Sequence, residues 1–161
     1  MKALVIYDTF FGNTQQIAES IGAALGEALG AGAEVHTLRV TDVHPEHLAG
    51  VGLLIVGSPT RAFKPSPATT AWLKALPADS LKGVQVAAFD TRIPVESAPG
   101  FLRVMVKLFG YADKPMADKL QKMGGVLAAP TERFFVTDSE GPLKDGELAR
   151  AAEWAKQIAA G

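Results

Sequence analysis

The residues best equipped for chemistry stand near the start of the chain. Thr9, Asn13 and Thr14, with Gly12 among them, follow directly on the apolar run Ala3–Tyr7 and lead directly into a helical pattern. Their side chains can donate hydrogen bonds, and Gly12 lets the backbone come close to a ligand or turn through dihedrals closed to other residues. The first turn of a helix leaves amide N–H groups without internal partners. Hydroxyls, free amides and the positive end of a helix dipole converging on one point suit a phosphate monoester. The loop has no lysine and no Gly-Lys-Ser/Thr, so it is not a nucleoside-triphosphate loop, and it lacks the G-x-G-x-x-G of dinucleotide-binding turns.

Such a loop works only if the elements around it are in order. A helix over Thr14–Leu29 is expected from Ile17, Ile21, Leu25 and Leu29, spaced by four on one face, with Gly30 and Gly32 ending it. Glu34–Val40 alternates like an edge strand, and Thr41-Asp42 could cap a short helix through Leu48. Val51–Val56 is a continuous apolar run, as a strand covered on both faces should be, and Val84–Phe89 reads as another buried strand. Ser58–Lys64 and Asp90–Gly100 read as loops, and Ser66 then Pro67 start a helix to Leu76. Gly125–Ala129 reads as a last strand, broken and resumed at Phe134–Val136, and Glu147–Ala160 as a closing helix. Alternating strands and helices imply right-handed crossovers, hence an α/β fold: a three-layer, doubly wound, five-stranded parallel sheet in a single domain over residues 1–161. In such folds ligands bind at the carboxyl ends of the strands, so the loops after the first, third and fourth strands are where chemistry is expected.

Composition narrows the classes. The chain has 161 residues, is 48% hydrophobic and 20% charged, and carries a net charge of −1, which disfavours nucleic acid as a partner. It has no cysteine, which removes disulfides, iron–sulfur clusters and thiol catalysis. No apolar run is long enough for stable membrane insertion, and a cytoplasmic protein is expected. His44 and His47 lie three apart, but two ligands without a third nearby make surface residues the better reading, and no metal site is expected. Trp72 and Trp154 sit in helical patterns and are expected to pack helices on the sheet.

The segment Val5-Ile6-Tyr7-Asp8-Thr9-x-x-Gly12-x-Thr14-x-x-x-Ala18-x-x-Ile21 resembles the signature of the flavodoxins and flavodoxin-like domains. Gly57-Ser58-Pro59-Thr60, Phe89-Asp90-Thr91-Arg92 and the tail from Phe134 through Trp154 are also similar to that family, so the resemblance covers nearly the whole length. It implies strand order 2-1-3-4-5, noncovalently bound FMN, and electron transfer to or from a redox partner protein or NAD(P)H. It implies phosphate contacts from Thr9, Gly12, Asn13 and Thr14, with backbone from Phe10 and Phe11. A second flavin loop would contribute Ser58, Pro59, Thr60, Arg61 and Phe63, and a third Asp90, Thr91 and Arg92.

The chain also departs from the pattern. Neither the second nor the third loop has a Tyr or Trp to stack on the ring, so Phe11, Phe63 and Arg92 are the candidates to cover it. Thr60–Lys64 has no glycine, whereas many family members carry one whose peptide flips towards the flavin. Arg61, Lys64 and Arg92 put cations in the flavin loops, which favours a reduced anionic flavin and anionic substrates. An NAD(P)H-dependent reductase of quinone-like substrates is therefore an alternative, as is a fold-only module acting through protein contacts. The apolar segment Phe101–Tyr111 would be an ordinary packing helix, a lid or a homodimer face. No residue stands out as a general acid or base.

Overall fold

A computed structural model describes residues 1–60, 64–94, 100–101, 103–104 and 110–161. Strand β1 (Lys2–Tyr7) lies at the centre, paired in parallel with β2 (Glu34–Arg39) on one side and β3 (Leu53–Pro59) on the other. β3 pairs with β4 (Gln85–Arg92), and β4 with β5 (Val126–Leu127), giving the order β2-β1-β3-β4-β5. This is the doubly wound order expected. The last position is split: β5 pairs with Gln85 and Val86, and β6 (Glu132–Phe135) pairs further along the same strand with Phe89–Arg92. Pro130 stands in the break, where a residue without an N–H cannot continue a ladder.

The alternation of β1 divides the core into two layers. Ala3, Val5 and Tyr7 face α1 (Asn13–Leu29) and the closing helix, here α4 (Glu147–Ala160), through Ile17, Ile21, Leu25, Trp154 and Ile158. Leu4 and Ile6 face α2 (Pro67–Ala75) and α3 (Asp113–Lys122) through Leu73, Met116 and Leu120. Trp154 meets Phe89 and Phe134 edge-on, with ring centroids 6.1 Å away in both cases. Phe89 in turn lies across Gly57 of β3. A Cβ at that glycine would come within 2.0 Å of the ring, so the close approach requires glycine.

Three local expectations change. The short helix towards Leu48 is replaced by two 3-10 turns, Val40–Asp42 and Pro45–Leu48. α3 was not foreseen, because only Met116, Ala117 and Leu120 of its ten residues are buried and its charged surface hides the periodicity. β3 and β4 run further than their apolar cores: Ser58 pairs with Asp90 and Pro59 with Thr91, so residues read as loop are strand ends with fixed positions. The segment 101–111 falls largely outside the described residues. Within it Phe101 and Val104 are exposed. Among the described residues no helix is long and apolar enough to cross a membrane.

Candidate functional site

The loop between β1 and α1 begins at Asp8 and ends at Gly12, whose φ of +90° is a left-handed conformation that a side chain would oppose. Thr9 tightens the turn by accepting the Gly12 N–H on its hydroxyl oxygen at 2.9 Å. No side chain caps the N-terminus of α1. Its first-turn amides therefore lack the partner that a capping residue would supply. The hydroxyl oxygens of Thr14 and Thr91 lie 2.8 Å apart and join the first loop to the end of β4. Asn13 reaches across to the turn before α4, donating from Nδ2 to the Glu140 carbonyl at 3.0 Å.

These strand ends surround a cavity of about 380 Å³, lined by Thr9, Phe10, Phe11, Asn13 and Thr14 from the first loop and by Pro59, Thr60, Thr91 and Arg92 from β3 and β4. It sits at the carboxyl ends of the central strands, as the topology requires. Phe10 and Phe11 are 45% and 49% exposed at its rim. Ile93, Val136, Ser139 and Glu140 complete the wall, and none of these was singled out from sequence. The turn Glu140-Gly141-Pro142 was the available signal. Its relation to Asn13, 127 positions away, was not visible.

Ser58 and Asp90 do other work than lining the cavity. Ser58 is fully buried, donates to the Pro59 carbonyl at 2.9 Å and accepts the Ser66 N–H at 2.9 Å, so it fastens the second loop to the start of α2. Asp90 is fully buried beneath the site and gathers donors from three directions. Arg92 donates through Nε at 2.7 Å and again through Nη2; the Thr60 hydroxyl donates at 3.2 Å and the Asp113 N–H at 3.1 Å. Burial pushes the Asp90 carboxyl up to about 6, against the opposing pull of Arg92.

Arg92 lines the cavity, and its charge is already engaged by neighbouring side chains. Its guanidinium pairs with Asp90 and with Asp113 at 3.1 Å, and lies 3.4 Å over the centroid of Tyr111. The two carboxylates balance its charge. Arg61 and Phe63, the other cation and the aromatic expected in the second loop, lie outside the described residues. Lys64 is exposed. His44 and His47 form a turn in which the His44 N–H donates to His47 Nδ1 at 2.8 Å, and no metal-binding group occurs among the described residues.

No family model matches the chain, and no curated protein sequence matches it. Solved structures do. A flavodoxin from the domain Archaea superposes with a TM-score of 0.77 at 23% identity over 99% of this chain and 97% of its own. Flavodoxin 1 from Bacillus cereus gives 0.77 at 18% identity over 99% and 98%. Rubredoxin oxygen:oxidoreductase from Desulfovibrio gigas gives 0.73 at 19% identity, with 99% of this chain matching 35% of that one. The fold is flavodoxin-like.

Proposed function

We propose that this chain binds FMN noncovalently at the carboxyl ends of β1, β3 and β4 and carries electrons to a redox partner protein. The observation that supports this most is the uncapped N-terminus of α1, opened by left-handed Gly12 and flanked by hydroxyls at one cavity wall. The hydroxyl count fits an anion. Thr14 and Thr91 carry two protons between them and use one in their mutual bond, which leaves one to donate. Thr9 already accepts the Gly12 N–H, so its own proton is also available. Backbone amides of the first turn supply further donors. The cavity volume is within the range usual for small-molecule sites.

When bound, FMN would supply reversible electron transfer on its ring, and the chain would supply binding, orientation and electrostatics. Thr9, Gly12, Asn13 and Thr14 would hold the phosphate, with backbone from Phe10 and Phe11. Pro59, Thr60, Thr91 and Ile93 would form the walls nearer the ring. The reductase alternative drew on three cations in the flavin loops. Because Asp90 and Asp113 balance Arg92, that support weakens and the carrier reading is preferred.

The test is a titration of apoprotein with FMN, followed by quenching of flavin fluorescence, for wild type and Thr14→Ala. Saturable binding that weakens at least tenfold in the variant is expected. An unchanged affinity would remove the phosphate assignment. With FMN bound, reduction through a reductase partner and not by NADPH alone supports the carrier over the reductase.

A further inference from the structure

We propose that Arg39 is a positioning residue for the phosphate seat, cancelling the Asp8 carboxylate at the root of the first loop so that a phosphate dianion can occupy it. The inference rests on the phosphate reading given above. Asp8 is 3% exposed and immediately precedes Thr9, which lines the cavity. Its Oδ1 accepts the Thr9 N–H, so the buried carboxylate is in direct contact with the backbone of a residue that lines the proposed phosphate seat. Two anions so close repel, most strongly at low ionic strength.

Arg39 meets that carboxylate from the neighbouring strand. It ends β2, where the register sets it opposite Tyr7, the residue before Asp8. Its Nε donates to Asp8 Oδ1 at 3.2 Å, and its Nη2 donates to the Thr9 carbonyl at 2.8 Å. The same Asp8 oxygen accepts the Thr9 N–H at 2.9 Å. One guanidinium thus neutralises the acid and ties down the residue that follows it. Burial raises the pKa of the neighbouring Tyr7 hydroxyl, as do the carboxylates of Glu19 and Asp42, while the Arg39 cation opposes the rise. Sequence reading could not find this pair, because its members are 31 positions apart, one in the first loop and one at the end of β2.

The test uses wild type, Arg39→Met, Asp8→Asn and the double variant, each titrated at low ionic strength with FMN and with riboflavin, which has the same ring but no phosphate. Far-UV circular dichroism checks that each is folded. Arg39→Met is expected to weaken FMN about tenfold or more and to leave riboflavin unchanged. Asp8→Asn is expected to bind FMN at least as well as wild type. The double variant is expected to recover to within about threefold of wild type, since removing the acid removes the need for the cation. Wild-type FMN affinity in Arg39→Met would overturn the proposal. So would a double variant as weak as Arg39→Met, which would assign the loss to the Thr9 carbonyl tether instead of to charge. A wild type that does not prefer FMN to riboflavin would overturn the phosphate reading itself, and this proposal with it.

Discussion

Thr14 and Thr91 stand 77 positions apart in sequence, yet their hydroxyl oxygens share a hydrogen bond of 2.8 Å at the wall of the cavity. Thr14 lies in the first turn of α1 and Thr91 one residue before the end of β4, so this one contact fixes the helix terminus against the carboxyl end of the sheet. Both side chains are buried. Either can donate to a ligand while the other accepts, which makes the pair a rigid donor.

Thr14→Val and Thr91→Val keep shape and remove one hydroxyl each. Each is expected to lose about 1 kcal/mol of stability in urea unfolding, because a buried hydrogen bond is removed. FMN affinity is expected to fall about tenfold in Thr14→Val and less in Thr91→Val, because Thr14 belongs to the proposed phosphate seat at the start of α1 and Thr91 does not. Fluorescence titration distinguishes the two, and the reverse ranking would reassign the donor.

Two glycines carry different physical demands. Gly12 has open space around a Cβ but φ of +90°, so Gly12→Ala is expected to cost about 1–2 kcal/mol through backbone strain alone. At Gly57 a Cβ would come within 2.0 Å of the Phe89 ring, so Gly57→Ala is expected to cost about 3 kcal/mol through overpacking. Denaturant midpoints measure both. Equal losses would show that Phe89 moves aside freely.

The buried Asp90 carboxyl, raised by burial to about 6 from an ordinary 3.8, binds its proton more readily folded than unfolded. Between these values the folded state holds more protons, so the contribution of Asp90 to stability falls as pH rises from about 4 to about 6 and is flat above. Wild type compared with Asp90→Asn is therefore expected to be relatively most stable near pH 4. It should lose on the order of 3 kcal/mol of that advantage by pH 7. Urea unfolding across this range checks it. An advantage that grows with pH would mean that the Arg92 fork outweighs burial.

Glu140 is an exposed acid on the cavity wall. Glu140→Gln is expected to tighten FMN about twofold at low ionic strength, and the gain should vanish in high salt, as befits a solvated charge. A salt-independent change would point to an effect on the Asn13 contact with the Glu140 carbonyl instead.

The sheet was legible in sequence because Ala3–Tyr7, Leu53–Val56 and Val86–Phe89 are buried and read as apolar runs. The first loop was legible because its donors are contiguous, and Thr9, Asn13 and Thr14 do share one cavity. What sequence hid were contacts set by register and topology. Arg39 at the end of β2 meets Asp8 in the loop after β1; Asp90 and Asp113 hold Arg92 across β4 and α3. A charged residue in a loop says nothing about which acid will neutralise it, and that is why Arg92 was read as available. α3 was hidden for a related reason, since three buried residues suffice to dock it and the rest of its surface is charged.

The phosphate seat is tested most directly by adding FMN to uniformly ¹⁵N-labelled protein and following backbone amides by NMR. The largest shifts are expected at Gly12, Asn13, Thr14 and Gln15, and riboflavin should leave these amides nearly still while moving others around the cavity. Unmoved amides at the start of α1 with FMN, or the same shifts with riboflavin, would contradict it.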